Sequence, residues 1–252
     1  MNGSRRNGSG GNLPGETHSI RWCRPELALF CAAVAATGMA YPAAAAGLSL
    51  AETLAKMDQA ATGFKGLSAN VQYVTHTEVI HEDDAQSGTI LVKRPKPKDL
   101  HVKLSIEKPE PKIAVADGNK VDVYYPRSGE SQRLELGHRR SLVDMILALG
   151  FGGTSRELQN DYSVALVGPE SVAGESTTEL ELVPKSPDML AQWKKIDLWI
   201  SDKSGYTVRQ KFYEPGGDYT LITYTNVRLN PEIPDSEFKS PKGTKREILN
   251  KK

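Results

Sequence analysis

His76 and His81, followed at once by Glu82, Asp83 and Asp84, gather imidazoles and carboxylates into one short stretch of the 252-residue chain. Such donors suit zinc and its neighbours, but their spacing here fits no standard zinc site. The stretch runs toward Gly88, and this composition is that of a solvated hairpin tip. It is read as a turn, with no metal. Catalysis finds no better footing. The sequence has no G-x-S-x-G, no H-E-x-x-H and no phosphate-binding glycine loop. Acidic residues are plentiful, but nothing places a pair of them in a pocket. Both cysteines, Cys23 and Cys31, lie near the start. The rest of the chain therefore has no thiol nucleophile, disulfide or cysteine metal site. His138, Arg139 and Arg140 precede a helical segment, where cations oppose the macrodipole, and read as a solvated charge cluster. The net charge of +1 gives no footprint for nucleic acid. The reading is of a protein that is not an enzyme and needs no cofactor.

The first 46 residues read as a segment apart from the fold. Leu27 to Ala40 is an apolar run of 14 residues, preceded by Arg21 and Arg24 and followed by the small-residue tract Ala43 to Gly47. That order describes a secretory signal peptide, cut after Ala46. The run is shorter than the roughly 20 residues that span a bilayer. The chain from Gly47 to 248 is expected to be a single domain free in the periplasm, with residues 249–252 a frayed tail.

Within that domain, Ser49 and Glu52 have the S-x-x-E spacing of a capping box. Leu50, Leu54, Met57, Ala61 and Phe64 follow at helical spacing, and Gly63 and Gly66 end the run. After it the period changes to two. Leu67, Ala69, Val71 and Tyr73 alternate with polar residues, as do Leu100, Val102, Leu104 and Ile106, then Leu180 and Leu182, then Ile196, Leu198 and Ile200. Turns are marked by Gly88, Asp117-Gly118-Asn119, Ser128-Gly129, Lys203-Ser204-Gly205 and Pro215-Gly216-Gly217-Asp218. These signals predict about ten antiparallel strands, each apolar on one face. Two further helices are expected: Ser141 to Leu149, apolar nearly all round, and a short turn over Asp188 to Gln192. Ten strands make a sheet about 45 Å wide. Two or three helices, each about 10 Å across, do not cover its apolar face. The sheet must close, fold on itself or keep a hollow for something else.

The stretch from Lys93-Arg94-Pro95 to Pro126 resembles the LolA family of lipoprotein carriers. The likeness rests on the K-R-P at a strand end and on Asp117, Gly118, Val121, Val123, Tyr124 and Pro126, which fall on the family's D-G-x-x-[LV]-x-[FV]-Y and proline. Leu182-Val183-Pro184-Lys185 and Phe238 to Gly243 resemble two later elements, in the right order. The resemblance implies a mainly β (α+β) fold: a curved, incompletely closed half-barrel lidded by two or three short helices. It implies a hollow that takes the acyl chains of lipoproteins or related lipids, an inner-membrane exporter and an outer-membrane receptor as partners, and action as a monomer. Arg94 matches the family arginine that holds the lid closed. Leu142, Met145, Ile146 and Leu149 are then lid residues, and Leu100, Val102, Leu104, Val121 and Val123 line the hollow. The competing reading is a protein of the same fold that binds lipid and senses envelope stress through a partner protein, without transport.

Overall fold

The computed structural model describes residues 47–96, 99–117, 120–135, 149, 151–241 and 244–246. Residues 1–46, the basic cluster 138–140 and most of the segment 141–150 lie outside them.

Helix α1 spans Leu50–Thr62 and opens on the capping box that the sequence predicts. The Glu52 amide donates to Ser49 Oγ, and the Glu52 carboxylate accepts from the Ser49 amide at 2.9 Å. Leu54 and Met57 are buried, and Gly63 caps the end. Asn230 then fastens the exit. Its Oδ1 accepts from the Lys65 amide at 2.7 Å, and its Nδ2 donates to the Gly63 carbonyl at 2.8 Å. The φ of +52° at Asn230 is the left-handed conformation that asparagine tolerates better than most residues.

Among the described residues twelve strands follow: β1 Gly66–Thr77, β2 Glu82–Lys96, β3 Asp99–Lys108, β4 Lys112–Asp117, β5 Lys120–Tyr125, β6 Glu130–Glu135, β7 Tyr162–Val172, β8 Glu175–Pro184, β9 Lys195–Ser201, β10 Thr207–Tyr213, β11 Tyr219–Leu229 and β12 Thr244–Arg246. They form one sheet in the order β12-β6-β5-β4-β3-β2-β1-β11-β10-β9-β8-β7. Two meanders, β1 to β6 and β7 to β11, join where β1 pairs with β11. All pairs are antiparallel except β12 with β6. The order is linear, so the sheet does not close, and the result is an open half-barrel. The edge strand β7 breaks register between Leu166 and Gly168 and carries Pro169, two features that blunt an edge against further pairing.

Two strand readings need correction, and one turn was not read. Gly88 is not in a turn: it sits within β2 at a register break, and a Cβ there would lie 1.9 Å from the Ser105 carbonyl oxygen. It marks a close approach of two backbones. The hairpin tip is residues 78–81 instead, so Glu82, Asp83 and Asp84 belong to β2. The turn between β7 and β8 falls on Ala173 and Gly174, both at positive φ (+52° and +82°). The Ala173 side chain hides that turn from a composition-based reading.

Helix α2, Ser155–Asp161, was not foreseen. Thr154 and Glu157 make a second capping box, and Asp58 of α1 accepts from both the amide and the hydroxyl of Ser155 at 2.6 Å. Helix α3, Pro187–Leu190, is the short turn expected near Asp188. A 3-10 turn at Asp235–Phe238 lies on the outer side of β3, where Glu237 pairs with Lys103 and Asp235 with Lys93.

Candidate lipid-binding face

The concave face is dry across β8 to β11 and less covered toward both edges; on β7, Val164 is half-buried and Leu166, opposite Leu180, is 41% exposed. Across β7 to β11, cross-strand neighbours run Val164–Leu182–Ile196–Phe212, with Leu180–Leu198–Gln210–Ile222 in the next row. Leu180, Leu182, Ile196, Leu198 and Phe212 are fully buried. Leu54 and Met57 of α1, with Leu158 and Tyr162, belong to the same cluster, and Met189 and Trp193 pack against it. Gln210 is a buried polar group in this face, and the Tyr224 hydroxyl donates to its Oε1 at 3.4 Å. Burial pushes the Tyr224 phenol far above its usual range.

Across β2 to β6, the same face continues as Val92–Val102–Ala116–Val121–Leu134 and Ile90–Leu104–Ala114–Val123–Gln132. Here the coverage is uneven. Val92 and Ile90 are buried, whereas Leu100, Val102, Leu104 and Val121 are half-buried. Leu134 on β6 is 40% exposed. Leu100, Val102 and Leu104 still pack on the main core. Val121 and Val123 lie farther out on the same face, where Val123 and its neighbour Ala116 on β4 are buried and Val121 is half-buried.

Arg94, at the far end of β2, lies beside the seam between α1 and the segment that follows Leu149. Its Nη1 donates to the Gly152 carbonyl at 3.4 Å, and its guanidinium sits 5.0 Å over the Phe64 ring. Burial lowers the affinity of the Arg94 guanidinium for its proton, and the charge of Glu157 offsets part of that. Gly152 is held at φ +85°, and a Cβ there would come within 2.7 Å of Arg94 Nη1 and 2.9 Å of Phe64. Only glycine fits that crossing without displacing the guanidinium. Thr207 holds the same segment from the other side, donating to the Leu149 carbonyl at 2.8 Å.

The residue that the sequence reading missed is Phe151. It is buried and stands in an aromatic box, 6.2 Å from Phe64, 6.2 Å from Tyr206 and 5.0 Å edge-on from Tyr224. Its position directly after the predicted lid was the available signal. Leu149, also buried, joins Met57, Phe64, Phe151 and Gly152 around a crevice of about 20 Å³. That is room for about one water molecule. An acyl chain does not enter this seam while Phe151 stays in its box. The structure thus brings Arg94 and Leu149 to one seam and puts Leu100, Val102, Leu104, Val121 and Val123 on the face beyond it. Leu142, Met145 and Ile146 lie outside the described residues.

No helix among the described residues is long and apolar enough to cross a membrane. No curated protein is significantly similar in sequence. Among solved structures, a conserved protein from Thermus thermophilus is 12% identical with a TM-score of 0.49, covering 80% of this chain and 100% of its own. A LolA superfamily protein from Nitrosomonas europaea is 17% identical, TM-score 0.37, covering 77% and 99%. MucB in the Pseudomonas aeruginosa MucA/MucB complex is 12% identical, TM-score 0.45, covering 75% and 60%. The sequence itself carries the assignment. Residues 62–241 match the family described as outer membrane lipoprotein carrier protein LolA, whose members are periplasmic or envelope proteins that carry or bind rather than catalyse. With the K-R-P strand end, the open sheet and the arginine at the seam all inside that span, this chain belongs to the LolA family.

Proposed function

We propose that the protein is a periplasmic carrier that takes the acyl chains of lipoproteins, or of related lipids, into its half-barrel and moves them from inner to outer membrane. Residues 1–46 are its cleaved signal peptide, and the segment around Leu142, Met145, Ile146 and Leu149 is its lid. The observation that supports this reading is the uneven coverage of one continuous apolar face: sealed over β8 to β11, half-covered at Leu100, Val102, Leu104 and Val121, and exposed at Leu134 on β6 and Leu166 on β7. Half-covered apolar positions gathered on one face suit a surface that a hydrophobic guest completes.

The energetics suit transfer. Burying one CH₂ contributes about 0.8 kcal/mol, so one long acyl chain contributes on the order of 10 kcal/mol. A carrier must offset that loss without holding cargo irreversibly. Displacing Phe151 from its box, and the seam from Arg94, opposes loading and therefore helps release. Cargo then passes from an inner-membrane exporter to an outer-membrane receptor that binds it more tightly.

The test is mass spectrometry of material extracted from natively purified protein, followed by titration of the delipidated protein with an acylated peptide. Co-purified lipoproteins and saturable binding with a negative heat-capacity change are expected. A folded, delipidated protein that binds no acyl chain refutes the reading. Binding of free lipid together with a stable partner protein, and no lipoprotein, favours the sensing alternative.

A further inference from the structure

The hairpin joining β1 to β2 carries a group of side chains that lipid binding does not use. His76 is near the end of β1, and Glu78 and His81 are in the turn. His76 Nε2 lies 3.1 Å from Glu78 Oε2, and His81 Nδ1 lies 4.0 Å from Glu78 Oε1. One donor atom from each of the three falls within 4.8 Å of the others. The sequence reading overlooked Glu78, because it took the acids Glu82 to Asp84 for the tip.

His76 is held by more than its strand pairing. Its cross-strand partner is Asp83, whose Oδ1 lies 2.7 Å from His76 Nδ1. Its ring stacks on Tyr219 at 4.6 Å, nearly parallel. A neutral imidazole donates one hydrogen bond only. With Nδ1–H given to Asp83, the Nε2 lone pair faces a second carboxylate, and that contact needs a second proton or a metal cation between the two. A carboxylate on the far nitrogen is also the outer-shell arrangement that orients a metal-binding histidine. Glu78 is braced in turn: its amide donates to Asp218 Oδ1 at 2.8 Å, and Gly217, at φ +98°, packs against its side chain.

We propose that His76 Nε2, the Glu78 carboxylate and His81 Nδ1 bind a divalent ion of the zinc class, with Asp83 as the outer-shell partner of His76. Two imidazoles and a carboxylate are a zinc donor set, and the fourth position is left for water or a partner's side chain. Tetrahedral zinc with bonds of about 2.0–2.1 Å places donors about 3.3 Å apart. His76 and Glu78 already stand near that separation. His81 is exposed and closes the remaining gap by rotating its side chain.

The test uses the full chain, stripped with a chelator and with Cys23 and Cys31 alkylated. Zinc is titrated calorimetrically while imidazole nitrogen shifts are followed by NMR. One saturable site is expected, with shifts at His76 Nε2 and His81 Nδ1. His81→Ala and Glu78→Gln, both at exposed positions, should weaken it by at least about tenfold. Asp83→Asn, which removes no ligand, should also weaken it by about tenfold. Absence of saturable binding overturns the proposal. So does affinity unchanged by these three substitutions in variants that unfold like the parent, or shifts confined to other histidines.

Discussion

Replacing Arg94 by alanine tests the seam directly. The side chain contributes two contacts there: a long hydrogen bond of 3.4 Å to the Gly152 carbonyl and a cation–π contact at 5.0 Å over Phe64. A hydrogen bond to a charged group contributes about 1.5–3 kcal/mol at good geometry. At this length, and partly solvated, about 1 kcal/mol is the reasonable share. The cation–π contact adds about 0.5–1 kcal/mol at a partly exposed site. Together they stabilise the docked seam by about 1.5–2 kcal/mol, or about 10- to 30-fold in the docked-to-undocked ratio. The loss acts on the closed, empty protein and not on the loaded one. Arg94→Ala should therefore hold acylated cargo more tightly and pass less of it to an acceptor. The assay is transfer from loaded carrier to an acceptor membrane or receptor, with amide exchange over residues 151–158 in the empty protein. Faster exchange and slower handover are expected, with the sheet intact. Unchanged exchange and transfer at unchanged stability would remove Arg94 from the mechanism.

Phe151→Ala should empty the aromatic box and cost about 3–5 kcal/mol of stability in the absence of lipid; an acylated peptide should restore part of that melting temperature by filling the space. Gly88→Ala places a methyl group against the Ser105 carbonyl, and thermal unfolding should show a loss of at least about 2 kcal/mol as β2 and β3 separate locally. Burial raises the Tyr162 phenol to about 12. The unfolded chain therefore ionises this group first, near its ordinary value of 10.0. The stability it contributes is complete below that pH and is lost as pH rises toward 12. Denaturant unfolding across this window should show a shallower decline in Tyr162→Phe than in the parent.

Several features follow from sequence alone because they rest on local rules. The capping box at Ser49 and Glu52, the helical stripe behind it and the period-two strands depend on neighbours within a few residues, and each lies where its pattern puts it. The K-R-P and D-G elements locate Arg94 and β5 by another route, the resemblance to the family pattern. Other features depend on chain segments far apart, and composition does not report them. Gly88 has the look of a turn residue, but the approach of Ser105 across β3 makes it a strand position. Phe151 is one aromatic among several until Phe64, Tyr206 and Tyr224 arrive from three other elements. His76 and His81 are spaced H-x4-H, which alone is a weak signal, and Glu78 between them gains meaning only when a four-residue turn folds the three onto one another, while Asp83 comes opposite His76 through strand register. The half-covered rows on β3, β5 and β6 are likewise a tertiary fact. Alternation says which side chains share a face, and only the packing of α1 and its neighbours decides how much of that face stays open to a guest.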